Sequence, residues 1–173
     1  MNGYSDFLEM AEKRYSVRSY SDRPVEQEKI DRILRAGQVA PTAVNAQPQK
    51  IFVLRSPEAL EKARKVTRFT FGAPVILLVC SDRNRAFVMK DGQYMGTVDA
   101  TIATTQMMLE AFAEGIGTCW VRGFDRNDVI REFGLPDNLV PEAMMPIGYP
   151  SETSVPGPKH AENLPIEDMV SYI

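Results

Sequence analysis

The six residues VILLVC, at positions 75–80, decide how this chain is expected to fold. They are continuously apolar and rich in β-branched side chains, a pattern typical of a strand buried on both faces. The break Gly72-Ala73-Pro74 precedes them. A strand without a polar face must be covered from both sides by other elements. The segment therefore predicts a sheet in the middle of a layered protein.

Helix and strand patterns alternate around this segment. Helices are predicted over 4–13, 25–37, from 57 onward, 97–114 and 126–134, and strands over 50–55, 75–80, 118–121 and 143–148. Ser56 and Asp125 are the expected N-caps, and Gly115 and Gly134 the expected stops. This alternation predicts a three-layer α/β arrangement. Its length suits one domain over residues 1–173.

The helix predicted over 97–114 is apolar on most sides. Its main stripe comprises Val98, Ile102, Leu109 and Phe112, and it is widened by Ala100, Ala103, Met107, Met108 and Ala111. A helix of this kind is buried. Because the domain is small, we expect a partner subunit to supply part of the cover.

Composition narrows the functional classes. The chain is 44% hydrophobic and 25% charged, with a net charge of −3. With this charge, the molecule as a whole has no electrostatic attraction to nucleic acid or to an anionic membrane. Its longest apolar run is too short to span a bilayer, and the acidic N-terminus does not resemble a signal peptide. A cytoplasmic location is expected. Cys80 and Cys119 are expected to be buried reduced thiols without a metal, although a catalytic pair with His160 stays open.

The spacing Arg14-x-Ser16-x-Arg18 is the first candidate for chemistry. Two guanidiniums and a hydroxyl could hold a phosphate, because the planar fork of arginine fits phosphate oxygens. The alternative is a solvated basic turn paired with Glu9 or Glu12. Neither of the common glycine-rich phosphate loops is present.

Two irregular segments are the other candidates. APTAVNAQPQK, at positions 40–50, places two prolines, a threonine and an asparagine close together, which turn chemistry alone can explain. The segment 82–96 carries Phe87, Met89, Tyr94 and Met95, which are either a pliable wall over a site or ordinary cover on a loop.

Taken in order, these segments resemble the FMN-dependent nitroreductase family. The resemblance rests on RYSVRSY near the N-terminus, APTAVNAQPQKIFVL, the helix DATIATTQMMLEAFAEGIGTCWV followed by RGFD, and MMPIGYPSE with a later basic residue. It covers nearly the whole chain. It implies an α+β fold with a mixed sheet flanked by helices on both sides, in an intertwined homodimer.

The resemblance also implies site residues. Arg14, Ser16 and Arg18 would hold the phosphate, ribityl chain and pyrimidine end of FMN, and Lys159 would reach the phosphate. Arg18 is the first choice beside the pyrimidine and Arg14 beside the phosphate, although the two could be exchanged. The remaining residues would lie along the flavin ring or its edge: Pro41, Thr42, Asn45, Arg122 and Gly123. Pro41, Thr42 and Asn45 usually do so in a site formed with the partner subunit. No metal and no catalytic side chain are implied.

The chain departs from the family pattern at two places. Gln49 stands where a tryptophan is usual, and His160 and Ala161 stand where many members carry a second arginine. The wall of one pocket and the contacts to the phosphate are therefore expected to differ.

The implied function is an FMN-dependent NAD(P)H oxidoreductase that reduces nitroaromatic, quinone or related small acceptors by a ping-pong mechanism. No nucleic acid or membrane is expected as a partner. Two alternatives stay open. One is a non-enzymatic FMN-binding or flavin-delivery protein, and the other is a different flavin reaction, such as dehalogenation or dehydrogenation, on the same scaffold.

Overall fold

A computed structural model describes residues 6–173. The helices are α1 (Phe7–Lys13), α2 (Gln27–Gln38), α3 (Pro57–Val66), α4 (Gly96–Ala113), α5 (Arg126–Phe133) and α6 (Ile166–Met169). The strands are β1 (Gln49–Leu54), β2 (Val75–Asp82), β3 (Gly117–Thr118) and β4 (Leu139–Gly148), and a 3₁₀ turn covers Ala43–Asn45. The predicted start of the first helix at position 4 lies outside the described residues.

The expected caps are confirmed. The Ser56 side chain accepts a hydrogen bond from the Ala59 N–H at the start of α3, and Asp125 accepts from two N–H groups at the start of α5. Gly134 closes α5 in the left-handed conformation, and Gly115 follows α4 with a φ of 74°. Local cap chemistry therefore sets these helix ends, as the sequence predicts.

The sheet has the order β1-β2-β4-β3, and all three ladders are antiparallel. A parallel pairing is present as an isolated bridge between Ser16 and Thr118. The expected α+β fold, with helices on both sides of the sheet, is thus confirmed. The four strands of the sheet run antiparallel, and the parallel bridge is made by Ser16, which lies outside them. The alternation of helices and strands in sequence predicts three layers but cannot reveal strand direction.

The central strand β2 divides the core into two clusters. Val75, Leu77 and Val79 point to one side, where they pack with residues of α2 and α4. The alternate residues Ile76 and Leu78 point to the other side, toward α3 and α5. Because successive side chains of a strand face opposite sides, one continuous apolar run can serve both clusters. The helices on both sides of the sheet follow from it.

The strand predicted over 118–121 is shorter than expected. β3 pairs Gly117 with Gly148 and Thr118 with Ile147, and the same register returns at a bridge between Val121 and Met144. Between them, Cys119 faces Pro146, which accepts from the Cys119 N–H at 3.3 Å. Proline has no N–H to donate in return, so the ladder is interrupted there.

The burial of α4 corrects the predicted stripe. The face of α4 that packs inside this chain carries mostly small side chains. It includes Ala100, Ala103 and Ala111, together with Met107. Val98, expected in the main stripe, lies on the opposite face and is 38% exposed, while Ile102 and Leu109 are only partly buried. Small residues permit α4 to approach α2 closely: a Cβ on Gly37 would lie 2.8 Å from the Met107 side chain. Neither α4 nor any other helix of residues 6–173 could cross a membrane.

Candidate functional site: a cation-lined cavity and a strained loop

The segment after α1 is extended, and this places its polar side chains on one side. The Val17 N–H donates to the Thr118 carbonyl at 2.8 Å, and Val17 itself is buried against Gly117. A Cβ on Gly117 would lie only 2.6 Å from Val17 Cγ2. Since side chains alternate along extended backbone, Arg14, Ser16 and Arg18 face away from this contact.

Tyr20 anchors the end of the same segment. Its hydroxyl donates to the carbonyls of Val17 and Pro146, at 3.0 and 3.1 Å. Burial raises the pKa of Tyr20, so the phenol stays a neutral donor. The backbone that carries Arg18 is therefore fixed at both ends.

A cavity of about 460 Å³ opens beside these side chains. It is lined by Arg14, Tyr15, Ser16, Arg18, Gly157, Pro158, Lys159 and His160. The C-terminal tail contributes its part through two local contacts: the Tyr15 hydroxyl donates to Ser154 at 3.3 Å, and the His160 N–H donates to Gly157 at 2.9 Å. The structure thus brings Arg14, Ser16, Arg18 and Lys159 together.

Among the described residues, the cavity lining has cations and no carboxylate. Glu9 is paired with Lys13, and the Arg18 guanidinium donates to the Ser16 carbonyl at 3.2 Å. Within the described chain neither Arg14 nor Arg18 forms an ion pair, so the reading as a basic turn neutralised by Glu9 or Glu12 has no support here. An anion entering this cavity would meet charges that the protein does not already satisfy.

A second, smaller cavity of about 230 Å³ shares Arg18 with the first. Its other lining residues are Phe69, Phe71, Cys119, Trp120, Val121, Arg122 and Gly123. Two aromatic rings, Phe69 and Phe71, stand with centroids 6.1 Å apart. Trp120 also lines this cavity, and its buried indole N–H has no partner within the described chain. The first cavity is lined mainly by charged and polar side chains, and the second combines aromatic side chains with Arg18 and Arg122.

Gly123 is fixed in the second cavity from two directions. The Thr67 hydroxyl donates to its carbonyl at 2.8 Å, and a Cβ at this position would lie 2.5 Å from Phe69 Cε2. Arg122 beside it donates to the Phe124 carbonyl at 3.1 Å and lies 4.7 Å from the centre of that ring. Desolvation, together with nearby Arg126, lowers the pKa of Arg122. Only glycine therefore fits at position 123 without displacing an aromatic ring.

The segment at 40–47 lies apart from both cavities. Pro41, Thr42 and Asn45 line neither of them in the single chain. Three of its residues have left-handed backbone, with φ of 48° at Val44, 54° at Asn45 and 48° at Gln47. Left-handed backbone is a genuine outlier for a β-branched residue such as Val44 and costs about 1–3 kcal/mol per residue. A simple connector has no need of such strain.

The first departure from the family pattern has a structural outcome. Gln49 turns toward α2, where its side-chain amide donates to the Gly37 carbonyl at 3.2 Å and its Oε1 is buried without a partner in the described part of the chain. The glutamine therefore connects the start of β1 to α2 and does not lie free on the surface.

The segment 82–96 forms a short hairpin. Val88 and Tyr94 make an antiparallel bridge, and Phe87 and Met89 are about two-fifths exposed. The Tyr94 hydroxyl donates to Ser81, which donates in turn to the buried carboxylate of Glu142. The hairpin is thus tied to the core through Tyr94, and the apolar side chains of Phe87 and Met89 are partly exposed on its first arm. Its role as a wall over a site stays a prediction.

Glu142 was not predicted from sequence. The β2–β4 register shifts between Val79 and Cys80, which leaves Glu142 as the extra residue of a bulge. Its buried carboxylate pairs with Arg126 and accepts from Ser81 and Thr97. A bulge turns a side chain out of the regular alternation, so no periodic pattern could have revealed this network.

Both cysteines are buried, as expected. Burial raises the pKa of Cys80 to about 12 and also raises that of Cys119. Both thiols are therefore protonated near neutral pH, which removes the thiolate that a catalytic cysteine needs.

Comparisons with known proteins identify the family and the fold. The sequence model of the nitroreductase family matches residues 11–68 and 62–149. The chain belongs to the nitroreductase family. The structure of a nitroreductase family protein from Clostridium difficile superposes with a TM-score of 0.91 at 37% identity, covering 96% of this chain and 98% of that one. The resemblance seen in the sequence is confirmed.

Two relatives of this nitroreductase family member are informative. A protein of Methanothermobacter thermautotrophicus, named as an inferred NADH dehydrogenase/NAD(P)H nitroreductase, is 34% identical over 154 residues, which cover 85% of this chain and 78% of the relative. The FMN reductase [NAD(P)H] of Bacillus subtilis is 30% identical over 166 residues, covering 83% of this chain and 66% of the relative.

Proposed function

We propose that this nitroreductase family member is an FMN-dependent NAD(P)H oxidoreductase that reduces small acceptors such as nitroaromatics or quinones. The observation that carries the proposal is the cavity in which Arg14, Ser16, Arg18 and Lys159 meet without a lining carboxylate. The names of relatives, including an FMN reductase that uses NAD(P)H, support the same cofactor and donor.

The residues present fit FMN. The larger cavity offers three cations and a hydroxyl, the donor set that suits a phosphate and polar ribityl oxygens. The smaller cavity is lined by aromatic side chains and by Gly123, and Phe69 occupies the space that a side chain at position 123 would need. Arg18 borders both, so a ligand with a phosphate at one end and a flat ring at the other would pass beside it.

When bound, FMN would accept hydride from the nicotinamide and pass electrons to the acceptor. The chain's own residues would bind and orient the two ends. Arg18 would place a fixed positive charge beside the pyrimidine end of FMN. Two opposite unit charges about 4 Å apart attract by up to about 4 kcal/mol at an effective dielectric of 20, so this charge would stabilise negative charge on the reduced flavin. Gly123 would keep its backbone N–H open to the ring edge, because its α-carbon carries no side chain.

We also propose that the working unit is a homodimer. The face of α4 that carries Val98, Ile102 and Leu109 is only partly covered in one chain. The C-terminal segment adds further exposed apolar side chains, with Ile166 at 74% and Met169 at 69% exposed. Exposed apolar side chains grouped in this way are typical of an interface.

A dimer would also explain the position of the 40–47 segment. Thr42 and Asn45 lie away from the cavities of their own chain, so in this proposal they complete the site of the partner. Each site is then shared between two chains, with the phosphate end on one and part of the ring environment on the other.

The decisive experiment begins with the visible spectrum of the purified protein, with and without added FMN. Flavin bands at one FMN per chain are expected, followed by bleaching with NADH or NADPH under anaerobic conditions and recovery when a nitroaromatic or quinone is added. A colourless protein that takes up no FMN would remove the proposal. Bound FMN that is never reduced would instead support a flavin-binding or delivery protein.

A further inference from the structure

The strained 40–47 segment is attached to α4 by one buried carboxylate. Asp99 is 1% exposed, and its Oδ1 accepts the Ala43 N–H at 2.8 Å. Four other hydrogen bonds join residues of the segment to one another: Asn45 N–H to the Thr42 carbonyl, Ala46 N–H to the Ala43 carbonyl, Gln47 N–H to Thr42 Oγ1, and the Gln47 side-chain amide to Asn45 Oδ1. The bond from Asp99 is therefore what attaches this turn to the helix.

The turn needs an external anchor because its own packing is weak. Val44, the β-branched residue with a φ of 48°, is 73% exposed, so its side chain gains little from burial in the single chain. Left-handed backbone at non-glycine residues persists only where the surroundings impose it. Thr42, at the start of the turn, makes no side-chain cap to it, and the Asp99 carboxylate takes the first N–H of the 3₁₀ turn in its place.

Burial of the Asp99 carboxylate costs desolvation free energy that a purely structural role does not explain. Its Oδ2 is also inaccessible to water and has no hydrogen-bond partner in residues 6–173. A carboxylate held this way loses hydration that one hydrogen bond does not replace. Its place in the first turn of α4 offsets part of that cost through the helix dipole.

We infer that Asp99 is a positioning residue, which holds the 40–47 turn in the strained shape that presents Thr42 and Asn45 to the flavin. This inference rests on the proposed function. It predicts that loss of Asp99 weakens FMN binding through the turn, beyond any general loss of stability.

Asp99→Ala, Asp99→Asn and a matched control, Thr104→Ala, test this in the full chain. Thr104 is also fully buried on α4, but its hydroxyl bonds only within the helix, to the Ala100 carbonyl at 2.7 Å. We expect Asp99→Ala to raise the FMN dissociation constant about tenfold, as the loss of a charge-assisted bond would. Asp99→Asn keeps an acceptor oxygen and is expected to stay within about threefold of the parent protein. Thr104→Ala is expected to lose stability in urea but keep its FMN affinity.

Val44→Gly supplies a test that does not depend on folding of the Asp99 variants. Glycine adopts the left-handed backbone without strain, so the apoprotein is expected to keep its stability while the loosened turn binds FMN more weakly. Adding Asp99→Ala to Val44→Gly should then weaken binding by less than it does alone. Parent-like FMN affinity in Asp99→Ala, or equal losses in Asp99→Ala and Thr104→Ala, would overturn the inference while leaving the proposed function intact. A parent protein that binds no FMN would remove the proposed function itself.

Discussion

The cation-lined cavity and the 40–47 turn are built on opposite principles. The cavity gathers Arg14 and Arg18 from an extended segment and Lys159 from a turn in the C-terminal tail, and in the proposed function it would act through charge. The turn is eight consecutive residues with three left-handed positions, and in the proposed function it would act through its shape. The difference teaches that the proposed site would recognise the two ends of one ligand by unrelated means: fixed charge for the phosphate end and imposed backbone geometry for the ring.

The largest effect is expected from breaking the charged half. The double change Arg14→Ala and Arg18→Ala removes two charge-assisted contacts worth about 1.5–3 kcal/mol each, so FMN should bind at least a hundredfold more weakly. Titration of apoprotein by flavin fluorescence measures this. The matched control is Arg64→Ala, an exposed α3 arginine paired with Glu61, which should change nothing. Unchanged affinity in the double variant would show that the cavity does not hold the phosphate.

Mixed dimers test whether the two halves act across the interface. A chain with Arg14→Ala and Arg18→Ala is co-expressed with a chain carrying Asn45→Ala, each with its own tag, and the mixed dimer is isolated. If the site is shared, one of its two sites receives both intact halves. About half of the parent FMN occupancy is then expected, although each variant alone binds poorly. Occupancy no better than that of the separate variants would mean that one chain contains the whole site.

A charge on the outer face of α4 should separate the two subunits of the proposed dimer. Val98→Asp places a carboxylate on the half-exposed face, and burying it in an interface would cost several kcal/mol. We expect a folded monomer in sedimentation equilibrium, with FMN affinity reduced about tenfold since the turn of the partner is lost. Arg131→Asp, on the exposed side of α5, is the control. A dimer that persists in Val98→Asp would place the interface elsewhere.

A smaller change is expected within the turn itself. Thr42→Val removes the acceptor of the Gln47 N–H, a neutral bond worth about 1 kcal/mol, so FMN affinity should fall about fivefold. The same variant should leave phosphate inhibition of FMN binding unaltered, because the charged half is intact. A change in the phosphate inhibition constant would mean that the two halves are not independent.

The smallest effect is expected at His160. It lines the cavity but is exposed in the tail, and no proton transfer by the protein is needed for hydride transfer. His160→Ala should reduce bound flavin at nearly the parent rate in stopped-flow mixing with NAD(P)H, at every pH between about 6 and 9. Double-reciprocal plots from steady-state kinetics should give parallel lines, because in the proposed mechanism donor and acceptor would bind over the same flavin ring in turn. A large loss of the reduction rate with FMN still bound would give His160 a direct role.

Much of this protein can be determined from its sequence because the relevant signals are local or periodic. The run at 75–80 indicates a strand covered on both faces, Ser56, Asp125 and Gly134 mark helix ends, and period-two spacing places Arg14, Ser16 and Arg18 on one side once the segment is extended. These patterns depend on neighbours a few residues apart. Family membership could likewise be predicted from four short motifs in order.

Only the tertiary structure decided what depends on distant parts of the chain. It selected the alanine-rich face of α4 for the core and left Val98 outside, since both faces are apolar and only packing against α2 distinguishes them. It brought Lys159 and Arg14, which are far apart in sequence, into the lining of one cavity. It also placed Glu142 on a bulge that strand periodicity does not predict. The hydrogen bond from the Ala43 N–H to the Asp99 carboxylate spans 56 positions, and no local pattern specifies a contact between residues so far apart in the chain.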